Sequence, residues 1–286
     1  MMARLFALVA LCLACGTPAS GQSLADTDRE RIMAALASLQ PQRPGVVDAY
    51  VVVAALDTDP VFGREAREAG RVLASRFDAA GRTVVLAEDE GGDRAGAAGT
   101  PNHLALALAR AAALMDRKED VLVLYTTSHG TPMAGLNYKD ILRGTGVITP
   151  GQLAAMLAQH GFKNRLIIIQ ACFSGQFIPL LAGPETVVAT AASSMQPSFG
   201  CTAGNDWTFF GHALINQAMR RPDTFARQFR RAFVSILGWE RRLGLEPSSP
   251  QISIGRGTAG WLSALDARAP KVASAPVGQP PSELSQ

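Results

Sequence analysis

The chain has 286 residues, 48% of them hydrophobic and 18% charged, which is the composition of a globular protein with one sizeable core. Its formal net charge is +3, and the lysines and arginines are spread along the sequence without a block of like charge. A nucleic-acid arm or a membrane-binding patch is not legible in that pattern, so no nucleic-acid partner is expected.

In chain order, Arg4 precedes an apolar run over residues 5–14, too short to span a bilayer as a mature helix. Ala19-Ser20-Gly21 before Gln22 fits a signal-peptidase site, so residues 1–21 are expected to be a signal peptide. A rival reading makes Cys15 a lipid anchor, because Leu13-Ala14-Cys15 partly resembles a lipobox; Cys12 stands where that motif usually has Leu. Either way the protein is expected outside the cytoplasm, periplasmic or extracellular, or as a membrane-anchored lipoprotein. No later stretch is long and apolar enough for a transmembrane span in the mature chain.

An N-terminal segment, 22–45, carries a short helix over 28–39 closed by Pro41 and Pro44. Residues 50–56 (YVVVAAL) read as a strand covered on both faces. A turn at 57–60 leads to a helix over 64–77, with Ala66, Ala69, Val72, Leu73 and Phe77 on one side. A strand at 83–87 is followed by a polar, glycine-rich loop to residue 100 and a helix over 102–115. The strand at 121–127 ends on Ser128-His129-Gly130, and 136–147 suggests a small hairpin or arm. Thr149-Pro150 starts a helix running through His160. The strand at 166–170 (LIIIQ) ends on Ala171-Cys172, and another strand follows at 186–190. Helices over 206–219 and 224–242 and a last strand at 251–254 complete the pattern. Strands alternating with helices imply an α/β domain, here 46–262, with a mainly parallel sheet and helices on both faces. The remainder, 263–286, is rich in Ala, Pro and Ser from residue 267 and is expected to be a disordered tail.

Parallel sheets bind ligands beyond the carboxyl ends of their strands. Two strands here end in reactive residues, His129 and Cys172. A thiol and an imidazole at one sheet edge form the minimum set for nucleophilic acyl transfer, with His129 taking the thiol proton. Gly130 and Gly175 allow close backbone approach, and amides near Gly130 and Cys172 could stabilise an oxyanion. Against this stands an ordinary expectation for an exported protein: Cys172 and Cys201, the two cysteines outside the signal region, would form one disulfide. Asp206 is read as the cap of the helix that follows it.

Ser128-His129-Gly130, followed 43 residues beyond His129 by Gln170-Ala171-Cys172-Phe173-Ser174-Gly175, resembles the legumain (haemoglobinase) family of cysteine peptidases, bacterial branch, in the caspase-like clan. Ser198-Phe199-Gly200-Cys201 and Asn205-Asp206-Trp207-Thr208-Phe209-Phe210-Gly211 resemble the same branch. The resemblance implies a caspase/haemoglobinase-like three-layer sandwich with a sheet of about six strands, and an exported cysteine endopeptidase acting on a peptide or protein substrate. It implies a Cys172–His129 dyad, a thioacyl-enzyme intermediate, an oxyanion hole from the Gly130 and Cys172 amides, and neither metal nor organic cofactor. The family's acidic specificity positions align here with Gln170 and His212, so the resemblance carries no cleavage preference across. Gln170, His212 and Arg64 remain candidates for the substrate pocket. A catalytically silent scaffold of the same fold, or a transamidase, are the alternative functions.

Overall fold

A computed structural model describes residues 24–87, 96–140, 142 and 144–285. The signal-peptide and Cys15 readings, and part of the glycine-rich loop, lie outside these residues. Along the chain come α1 (Leu24–Ala37), β1 (Ala49–Ala55), α2 (Pro60–Arg76), β2 (Thr83–Leu86), α3 (Pro101–Leu114) and β3 (Val121–Thr127). Three short strands follow, β4 (Gly130–Thr131), β5 (Gly135–Asp140) and β6 (Gly144–Ile148), then α4 (Pro150–Ala158) and β7 (Asn164–Gln170). Next are α5 (Ile178–Leu181), β8 (Thr186–Thr190), a π-helix (Gly211–Ala218), α6 (Phe225–Leu243), β9 (Gln251–Ile254) and α7 (Ala259–Arg268).

The main sheet has six strands among the described residues, in the order β2-β1-β3-β7-β8-β9. All neighbours are parallel except β8 and β9. Every residue of β1, β3 and β8 is buried, which explains why their sequences are continuous apolar runs without alternation. Val51, Val53, Val123, Tyr125 and Ile168 face α2, the π-helix and α6, whereas Tyr50, Val52, Leu122, Leu124 and Ile169 face α1, α3 and α4. Burying each such aliphatic side chain contributes about 1.5–3 kcal/mol, so both faces are held by the same hydrophobic term. The mixed α/β architecture is the one expected from the alternating pattern, and it is consistent with a caspase-like fold.

The local starts are as the sequence dictates. Thr149 caps α4 by accepting from Gln152 N while the Gln152 side chain returns to Thr149 N, a capping box before Pro150. Two expectations are corrected. The helix expected over 206–219 winds as a π-helix over Gly211–Ala218, with Met219 N donating to Leu214 O at 2.8 Å. Five-residue winding places Gln217 beside His212, a contact that a tighter helix would turn away.

The segment expected as a disordered tail is held in place instead. It begins within α7, and beyond it the Val277 carbonyl accepts from Trp207 Nε1 (2.8 Å) and from Asn216 Nδ2 (2.9 Å). Gln279 N donates to Asp206 Oδ2 (2.7 Å), and Ser282 N to Asn205 Oδ1 (3.0 Å). The composition is that of a loop, but the buried donors of Trp207 and Asn216 need acceptors, and the tail supplies them. No helix among the described residues is long and apolar enough to cross a membrane.

Candidate active site

Strand order reverses between β1 and β3, and in an open parallel sheet the crevice at such a switch point is where ligands bind. The register of β3 on β7 pairs Thr127 with Gln170. His129 and Cys172 each follow two residues later, so both leave the sheet at one edge and one level. Ser128 N locks the turn onto β7 by donating to Gln170 O (3.1 Å). Gly130 lies against the nucleophile's backbone: a β-carbon there would collide with the Cys172 carbonyl and lie 3.2 Å from Ala171 Cβ. Glycine is required by that approach.

Cys172 stands on a sharp turn. Phe173 has φ of 57°, a left-handed conformation rarely taken by a bulky side chain, and its N–H donates to Gln196 O (2.9 Å). A short 3₁₀ turn, Ser174–Phe177, then carries the chain away from the sheet. The Cys172 sulfur accepts from Ser198 N (3.3 Å) and lies 3.5 Å from Ser198 O, toward which the thiol can donate. Cys172 and Cys201 are both free thiols, so the expected alternative of a bridge between them is not realised.

The His129 ring meets Phe62 of α2 edge-on, centroids 4.9 Å apart. Its Nε2 lies 3.0 Å from Oδ2 of Asp59, the residue immediately before α2. Nε2–H donating to the carboxylate leaves the Nδ1 lone pair open, the tautomer a general base needs. His129 and Asp59 are 37% and 43% exposed, so as an ion pair they contribute no more than about 1 kcal/mol to stability. Their contact matters for the ring's orientation instead. Asp59 was read only as part of a turn. Asp-Pro at a helix start is a local signal, but nothing local says that the carboxylate reaches a histidine 70 residues away.

Behind the rim lies a buried polar array. The Glu65 carboxylate accepts from Tyr125 Oη (2.5 Å), Thr127 Oγ1 (2.9 Å), Thr208 N (2.8 Å) and Thr208 Oγ1 (2.8 Å). Burial pushes its carboxyl above the usual range, against the pull of these four donors. Thr127 also contacts Gln170 Oε1 (3.1 Å), and Gln170 Nε2 lies 4.0 Å from the Cys201 sulfur. Burial raises the Cys201 thiol's pKa, keeping it protonated and a poor nucleophile.

The structure places the three pocket candidates as follows. Gln170 is fully buried and belongs to this array. His212 is also buried, between Asn216, Gln217 and Trp239. Arg64 pairs with Asp206 (3.2 Å) and donates to Asn205 O (2.7 Å) and to Ala203 O, which ties α2 to the loop before the π-helix. Asp206 is therefore an ion-pair partner and not the helix cap it was expected to be.

A model of the Peptidase C13 family matches residues 100–259, a span holding both His129 and Cys172 and more than half of the chain. The chain belongs to the Peptidase C13 family. As a Peptidase C13 member it is a cysteine-type peptidase of the legumain kind, a hydrolase whose substrates are proteins. The match begins after β1, so Asp59 and Arg64 lie outside it and their assignment rests on geometry alone. No curated protein matches the chain.

Proposed function

We propose that the chain is an exported endopeptidase in which Cys172 attacks the scissile carbonyl and His129, oriented by Asp59, is the base. The observation that carries this reading is the register of β3 on β7, which brings the two residues past Thr127 and Gln170 out at one edge with Gly130 against Cys172. With Nε2 engaged by Asp59, Nδ1 of His129 takes the thiol proton. The thiolate adds to the carbonyl carbon, and the oxyanion that forms is stabilised by the Gly130 and Cys172 amides. Collapse expels the amine, which takes the proton back from His129 and leaves a thioester on Cys172. Water, activated by the same imidazole, then releases the acid and the free thiol. The Ser198 N–H donates to the Cys172 sulfur and holds the side chain at this edge. Export rests on the sequence of residues 1–21.

The test is alkylation of Cys172 by iodoacetamide alongside hydrolysis of a casein substrate, in the native chain and in Cys172→Ala, His129→Ala and Asp59→Ala. Rapid labelling of Cys172 that slows in His129→Ala, with proteolysis lost in both Cys172→Ala and His129→Ala, is expected. Proteolysis surviving in Cys172→Ala, or labelling indifferent to His129, would overturn the assignment.

A further inference from the structure

Four arginines fall within residues 221–231, and the fold sets them along one groove. A groove of about 570 Å³ runs between the π-helix and α6, with Arg221, Arg227, Arg230 and Arg231 along it and Ala213, Ala218 and Val234 as its apolar lining. One carboxylate answers them: Asp223 pairs with Arg231 (3.2 Å) and Arg227 (3.6 Å). Among the described residues Arg221 and Arg230 have no carboxylate partner. The exposed face of α6 continues basic through Arg241 and Arg242, and its one acid, Glu240, is buried and accepts from Ser248 N (3.0 Å). Guanidinium groups crowded around one carboxylate repel each other, and a ligand of opposite charge relieves that repulsion.

We infer that this groove is an exosite for an acidic segment of a polypeptide substrate. Charge complementarity argues for an anionic occupant, and the apolar lining between the guanidinium groups suits an extended chain with alternating side chains better than a bare anion. From the groove α6 runs on toward the proposed catalytic edge, and the inference rests on the Cys172–His129 reading for its catalytic consequence. Beyond α6, Ser248 O accepts from Ser193 N (2.9 Å), at the start of the loop whose Ser198 holds the Cys172 sulfur. From mid-groove to that edge is on the order of 20–30 Å at the rise of an α-helix. About six to nine extended residues cover such a distance. Substrates are therefore expected to carry their acidic run that far from the bond cleaved.

The test separates binding from catalysis. A fluorescein-labelled octaglutamate peptide is titrated by fluorescence anisotropy into the Cys172→Ala protein and into the same protein carrying Arg221→Glu and Arg230→Glu. Binding that weakens at least tenfold in the double variant, and that falls as salt is added, is expected. On the active enzyme the double variant should leave kcat/KM for a short neutral peptide unchanged. It should lower the value at least tenfold for the same peptide extended by an acidic run eight residues away. Equal octaglutamate binding by both proteins would overturn the inference. So would arginine-dependent binding to phosphatidylglycerol vesicles without octaglutamate binding, which would make this face a membrane contact. Arginine-dependent octaglutamate binding by a chain that cleaves nothing would leave the groove standing and refute the dyad.

Discussion

His212 makes the stability of this protein depend on pH in a calculable way. Asn216 is held at both ends of its amide by Val277, donating through Nδ2 to the carbonyl (2.9 Å) and accepting through Oδ1 from the N–H (2.9 Å). Its second N–H therefore points at His212 Nδ1 (3.2 Å), which must accept, and the Gln217 side-chain amide lies 3.0 Å from His212 Nε2. A second proton on Nδ1 would oppose the Asn216 donor inside a buried site. Burial accordingly lowers the pKa of His212 from 6.5 to about 4. Because the unfolded chain binds this proton more readily, the folded state is fully favoured above pH 6.5 and loses stability as pH falls toward 4. The whole shift corresponds to about 3 kcal/mol, of which about 2 kcal/mol is lost between pH 7 and pH 5. For a chain of this size that lowers Tm by about 4–8 °C. Thermal unfolding of the native chain and of His212→Gln at both pH values isolates the effect, since the other titrating groups are common to both. The variant should lose about 2 kcal/mol less than the native chain over this interval. Equal losses in the two proteins would show that His212 is not buried neutral.

Further outcomes follow from the same geometry. Asp59→Ala should lower kcat/KM about 100-fold while changing stability by less than about 1 kcal/mol, because the exposed pair orients more than it stabilises; an unchanged rate would remove Asp59 from the site. Gly130→Ala drives a methyl group into the Cys172 carbonyl, and displacing the turn should cost at least about 100-fold in kcat; steady-state kinetics at near-native activity would contradict the close approach. Glu65→Ala leaves the buried Thr208 N–H without its acceptor and should destabilise by at least about 1–3 kcal/mol in urea unfolding, with no loss if the array is not formed. Removing residues 269–286 strips the acceptor from Trp207 Nε1 and both Val277 contacts from Asn216, and should cost at least about 2 kcal/mol; an unchanged Tm would mean that the tail is not bound in solution.

The sequence by itself carried the element order and the edge on which the chemistry lies. Runs such as VLVLYTT and LIIIQ could only be strands buried on both faces, and such strands present the residues after them, His129 and Cys172, at one rim. Those signals are local, because a buried strand or an amphipathic helix stamps its periodicity on the residues that form it. Contacts made across the fold leave no such stamp. Asp59 reaches His129 because the strand order sets the loop after β1 beside the loop after β3. Arg64 meets Asp206, and Val277 orients Asn216 and through it His212, for the same reason: partners far apart in the chain are neighbours only once the layers are stacked. The alanine- and proline-rich tail looked unfoldable since it has no core of its own, yet buried donors on another element fix its course. The π-winding that seats Gln217 on His212 was likewise decided by packing between helices, which no window of the sequence contains.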